Sequence, residues 1–136
     1  MRILLDTNII VDIISRRDGY ESSLNVLRCC EDKKFDGYFT TITITDIMYI
    51  LRKHAPQDVL RKSMHNLMKI LETAEVSQRD IQSVFFSDMS DFEDGVQAYC
   101  GLRYDVEYII TKNLSDFEYS PIKAISPKDF LLLHYY

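Results

Sequence analysis

Five short runs suited to buried strands recur along this chain, and the stretches between them have the period of helices. The runs are RILL at 2–5, DGYFTT at 36–41 (a turn and a strand), AEV at 74–76, EYIIT at 107–111 and IKAIS at 122–126. Between them, apolar residues three and four apart predict helices over 7–16, 21–33, 57–73, 77–88 and 90–105. A further helix is expected from Thr43 or Thr45 to a stop ahead of Pro56, and a last one over 127–133 with Pro127 in its first turn. Strands separated by helices run parallel and are joined by crossovers, with helices covering both faces. The pattern therefore predicts an α/β fold: a three-layer α/β/α sandwich around a mainly parallel sheet of about five strands. With 136 residues, one core fits and two do not, so a single domain over 1–136 is expected.

Local signals set the expected boundaries. Gly19 follows the charged stop RRD after the first helix. Leu24, Val26 and Leu27, with Cys29 and Cys30, give the second helix its apolar side. Val59, Leu60, Met64, Leu67, Met68 and Leu71 do the same for the helix over 57–73. Ser90-x-x-Glu93 has the spacing of a capping box for the helix over 90–105, with Gly101 near its end.

Composition narrows the class. No apolar run approaches the roughly 20 residues of a membrane helix, and Asp6 and Asn8 interrupt the N-terminal apolar run too early for a secretion signal. A cytoplasmic protein without membrane contact is expected. Cys29, Cys30 and Cys100 are odd in number and lack zinc-ligand spacing, so they read as buried thiols. A net charge of −5 argues against broad adhesion to nucleic acid, which wants a basic surface. It leaves open an enzyme that reaches phosphates through bound cations.

Acids recur at one structural address. Ligands of such sheets bind beyond the carboxyl ends of the strands. Asp6 follows the first strand, Asp46 opens the helix after the second, and Asp116 lies just past the fourth. Asp94 opens the helix leading into that fourth strand. Each also has a structural reading: Thr43-x-x-Asp46 resembles a capping box, Asn113-x-x-Asp116 a local turn or cap, and Asp91 follows the Ser90 cap at a helix's positive end. Taken together they point to a shared crevice. Two carboxylates 4 Å apart repel by about 4 kcal/mol at an effective dielectric near 20, so protons or cations must hold such a cluster. Hard oxygen donors, with His54, His65 and His134 all outside these motifs, favour Mg²⁺ or Mn²⁺. The chemistry this implies is phosphodiester hydrolysis.

LLDTNIIVD, TITDIMYIL, DFEDGVQAY and YIITKNLSDF, in that order, resemble the PIN-domain family of metal-dependent nucleases, many of them ribonuclease toxins of the VapC-like group. The resemblance spans about residues 2–131. It implies that Asp6, Asp46, Asp94 and Asp116 are the catalytic, metal-binding acids, Asn113 standing where some members carry the fourth. It further implies that Thr7, Asn8, Asp91, Thr111 and Asn113 support them by orienting carboxylates or water, Asp91 being a further ligand or a helix-start charge. Arg16, Arg17 and Lys112 are then candidates for contacting an RNA backbone. The implied partners are an RNA substrate, a small antitoxin and a second copy of the chain. Two positions depart from the family pattern: Asp46 replaces the more usual Glu, and Gly95 stands where a small residue such as Ala is usual.

Two other functions compete with a metal-dependent endoribonuclease. Asp6 resembles the nucleophile of haloacid-dehalogenase-like phosphatases, but Asn8 replaces the second acid such enzymes use. A PIN-like fold can also serve as an inactive binding or regulatory module.

Overall fold

The computed structural model describes all 136 residues, Met1–Tyr136. Its five strands are β1 (Arg2–Leu5), β2 (Asp36–Thr40), β3 (Glu72–Ala74), β4 (Tyr108–Ile110) and β5 (Lys123–Ile125). All pair in parallel, in the order β3-β2-β1-β4-β5. Seven helices accompany them: α1 (Thr7–Ser15), α2 (Tyr20–Glu31), α3 (Thr41–Ile50), α4 (Gln57–Ile70), α5 (Gln78–Phe85), α6 (Phe92–Arg103) and α7 (Pro127–His134). A single 3-10 turn covers Leu114–Phe117.

Alternation along the strands divides the core into two layers. Ile3 and Leu5 of β1, Phe39 of β2 and Ile110 of β4 pack with residues of α1, α2, α3, α4 and α7. Leu4, Tyr38 and Ile109, their neighbours in sequence, turn to the other face and meet α6 residues Ala98 and Cys100, together with Phe117 and Ile122. The sheet grows from β1 in one direction through β2 and β3, and in the other through β4 and β5. Crossovers of constant hand must change face when the direction reverses, which accounts for α5 and α6 lying opposite α1 to α4. All three cysteines are buried and free.

Several boundaries differ from those expected. Helix α3 starts at Thr41, because the Thr40 hydroxyl accepts from the Thr43 amide at 3.1 Å and so caps the helix. That leaves Asp46 in the helix interior, with no capping role. The helix ends at Ile50, well ahead of Pro56, which instead stands at the position just before α4. Strand β3 lies two residues earlier than AEV, since Glu72–Ala74 is the segment in register with Tyr38–Thr40. Asp91, not Ser90, caps α6 by accepting from the Asp94 amide at 2.9 Å. Asp also competes well as a cap. Val59 and Met68, expected on the apolar face of α4, are half exposed.

Gly95 has a packing reason. A Cβ there would stand 2.6 Å from Cγ1 of Val84 on α5, a β-branched side chain with little freedom to withdraw. The close approach is by a side chain of the neighbouring helix. Even alanine would force α5 and α6 apart.

Candidate active site at the carboxyl edge of the sheet

Strands β1 and β4 are neighbours, and between them the order of the sheet reverses direction. Such a switch point opens a crevice beyond the strand ends. Here the crevice is a polar cleft lined by Asp6, Thr7, Asn8, Asp46, Tyr49, Ile50, Asp91, Glu93, Asp94, Gln97, Asn113 and Asp116. The four acids expected to converge all face it, brought from the end of β1, the interior of α3, the first turn of α6 and the 3-10 turn after β4.

Asp6 sits at the cap position of α1 yet makes no side-chain capping bond. Its carboxylate is instead held across the sheet. Gln97 Nε2 donates to Oδ1 at 3.0 Å, and the Thr111 hydroxyl donates to Oδ2 at 2.9 Å. The Asp6 amide donates to the Ile110 carbonyl at 3.0 Å, locking the strand end itself. Thr111 also accepts from the Asn113 amide at 3.0 Å, which shapes the loop carrying Asn113 and Asp116.

Gln97 is the residue that sequence reasoning missed. One α-helical turn after Asp94, it faces the same way, and its Nε2 lies 3.5 Å from Asp94 Oδ1 while holding Asp6. The Thr43 hydroxyl contacts Gln97 Oε1 at 3.4 Å and the Thr7 hydroxyl at 2.9 Å, and Thr40 donates to Thr43 at 3.2 Å. A buried chain of neutral polar groups thus ties α1, α3 and α6 together beneath the acids. The signal available in the sequence was only the three-residue spacing in DGVQ. A glutamine on a helix gives no hint of its partner.

The acids lack a compensating cation. Burial, then the charges of Asp6, Asp91 and Asp116, push the Asp94 carboxyl up to about 7. Burial also raises Asp6, outweighing the hydrogen bonds from Gln97 and Thr111, and raises Asp46. No three acid, histidine or cysteine side chains are gathered tightly enough to cage a metal by themselves. Magnesium-type ions do not require that, because they keep several waters and bind through one or two carboxylates plus substrate oxygens.

The three basic candidates lie elsewhere. None of Arg16, Arg17 or Lys112 lines the cleft. Lys112 Nζ is 2.7 Å from Oδ2 of Asp12, a buried acid of α1, and Arg17 Nη1 is 3.7 Å from its other oxygen. Both are committed to neutralising Asp12. Arg16 ends α1 in a left-handed conformation, with φ 50°.

A family model described as PIN domain matches residues 2–115. The chain belongs to the PIN-domain family. Its cleft thus lies at the edge of a PIN domain, and solved structures share that fold. A chain of VapBC2 from Rickettsia felis, bound to a DNA fragment from its promoter, superposes with a TM-score of 0.71 at 17% identity, covering 93% of this chain and 98% of that one. DNA-bound VapBC from Salmonella typhimurium gives 0.69 at 16%, covering 93% and 98%. Mycobacterium tuberculosis VapC20, a toxin that cleaves the sarcin–ricin loop, gives 0.65 at 10%, covering 89% and 98%. At these identities the likeness is one of fold. No curated protein matches the sequence.

Proposed function

We propose that this PIN domain, a single unit over 1–136, is a metal-dependent endoribonuclease and the toxin of a toxin–antitoxin pair. The observation that carries the reading is the convergence of Asp6, Asp46, Asp94 and Asp116 on one cleft without a cationic side chain to balance them. Hard carboxylate oxygens around a polar cleft fit Mg²⁺ or Mn²⁺. Asp6, Asp94 and Asp116 would hold the ion, with Asp46 completing the set through its shorter arm. When bound, the ion supplies charge stabilisation at the phosphate and a more acidic water.

The chain's own residues prepare that site. Gln97 and Thr111 fix the Asp6 carboxylate, so its oxygens are placed before any ligand arrives. Asp91 caps α6 and adds negative charge beside Asp94. Thr7 and Asn8 begin α1 at the cleft floor, Thr7 braced by Thr43. Asn8 keeps the site without the second acid an aspartate-nucleophile phosphatase needs.

The solved relatives named VapBC are complexes, and VapC20 is a toxin that cleaves the sarcin–ricin loop. They support an antitoxin partner and an RNA substrate here, and a second copy of the chain is the further expected partner. No helix is long and apolar enough to cross a membrane, which is consistent with action in the cytoplasm.

The test is cleavage of structured and single-stranded RNAs with Mn²⁺, Mg²⁺ or EDTA, run beside Asp6→Asn. Cuts that need the ion are expected, weaker in the variant by more than about a hundredfold, since even groups that only support a ligand cost 10- to 100-fold. Equal cutting by the variant would expose a contaminant. Absence of both cutting and Mn²⁺ binding in the unaltered protein would leave an inactive binding module.

A further inference from the structure

An aromatic ring stands at the mouth of the acidic cleft. Tyr49 lies on α3 three residues beyond Asp46, lines the same cleft, and is 65% exposed, so the fold does not use its ring as core. Arg52 stacks on it, the guanidinium carbon 3.8 Å from the ring centroid. Arg52 Nη1 also donates to the Tyr49 carbonyl at 2.6 Å. Two contacts thus hold a long, exposed side chain against one face of the ring, leaving the other face for a ligand.

Positive charge is scarce around this site. No lysine or arginine lines the cleft, and Lys112 and Arg17 are spent on Asp12. Any RNA that reaches the acids must therefore be held by something besides a row of phosphate contacts. Stacking on an aromatic ring is such an interaction, tolerant of sequence because every base has a π-face. It requires a base that is not already stacked and paired in a helix.

We propose that Tyr49, backed by Arg52, is the platform on which an unpaired nucleobase beside the scissile phosphate stacks. This rests on the endoribonuclease reading and adds to it the residue that seats the base. Arg52 stiffens the ring's position and offers charge to the adjoining phosphate.

The experiment compares unaltered protein, Tyr49→Ala and Tyr49→Phe, with Mn²⁺, on one RNA sequence presented unpaired and in duplex. Tyr49→Ala is expected to raise KM for the unpaired RNA about tenfold, the loss falling on KM rather than kcat. Tyr49→Phe, which keeps the ring, should restore it. A second measurement reads stacking itself: 2-aminopurine is placed in turn at each position flanking the cut, and its fluorescence is followed on binding to uncleaving Asp6→Asn protein. Quenching at one position, lost when Tyr49→Ala is added, is the expected result. A Tyr49→Ala protein with unchanged KM and undiminished quenching overturns the proposal alone, as does equal cutting of duplex and unpaired RNA. Absence of both cutting and Mn²⁺ binding in the unaltered protein overturns the nuclease reading and this proposal with it.

Discussion

Asp80 and Asp6 are equally buried, each 2% exposed, yet the chain surrounds them in opposite ways. Asp80 meets Arg103 through two bonds, Nε to Oδ1 at 3.0 Å and Nη2 to Oδ2 at 2.9 Å, and accepts the Ser77 amide at 2.9 Å. Burial alone would raise its carboxyl, but the Arg103 bonds, the Ser77 amide and the Arg103 charge hold it below its ordinary value. Asp6 meets neutral donors, the Gln97 amide and Thr111 hydroxyl foremost, and is raised by its burial. Asp12 is likewise a buried acid paired with a cation, Lys112. Where an acid serves the fold, the chain supplies the cation; in the cleft it supplies neutral donors and leaves the charge to be met from outside.

Cutting the paired acid loose tests the first half of that contrast most severely. Arg103→Met strands the Asp80 charge and is expected to cost about 3 kcal/mol in urea unfolding, the low end for a broken buried pair because Arg103 is partly exposed. A loss under 0.5 kcal/mol would mean that the pair is ornamental.

On the cleft side, Gln97→Leu removes the donor that fixes Asp6 and should weaken Mn²⁺ binding by about 10- to 100-fold, measured by calorimetry. Unchanged affinity would show that Asp6 needs no positioning.

The next effect is one of pH. With its folded value at about 7, Asp94 must lose a proton before it can bind an ion, so Mn²⁺ affinity should fall about fivefold from pH 7, where half the carboxyl is already ionised, to pH 6 if one proton is displaced. A flat profile would place Asp94 outside the binding set.

The smallest effect has the opposite sign from the first. Asp94→Asn removes a charge without a partner and is expected to stabilise the metal-free protein at pH 8 by about 1 kcal/mol, after allowance for solvent screening. The raised value means that ionisation of Asp94 costs stability as pH rises from 3.8 to about 7. Asp80, being lowered, contributes stability present above about 3.9 and lost as pH falls through its folded value. Thermal unfolding from pH 3 to pH 8, with and without Mn²⁺, separates the two: the ion should recover the Asp94 part only.

What was legible in the sequence follows the same division. Short apolar runs placed β1 and β4 closely, because a strand buried on both faces has little choice of residue, and the edge strand β5 fell within the expected IKAIS run. The acids at strand ends and helix starts could be assigned to one edge, since parallel topology puts all the carboxyl ends together. Boundaries decided by side-chain competition were harder. Thr40, Thr41, Thr43 and Thr45 all offer a hydroxyl, and only the sheet's end shows that Thr40 is the cap. Ser90 and Asp91 posed the same choice. Gln97 and Asp12 were invisible because their partners lie in other elements: Gln97 reaches Asp6 across 91 positions and Lys112 reaches Asp12 across 100.

Those long separations also bear on when the cleft comes into existence. Asp6 is bonded to Thr111, and β1, the central strand, has β4 as one of its two neighbours. Loops that long close slowly compared with local helix formation. During synthesis the first two acids emerge early and wait for the last third of the chain to insert β4 beside them. Whatever chemistry the cleft performs is therefore withheld from the growing chain, and begins only when the sheet has closed around its own middle.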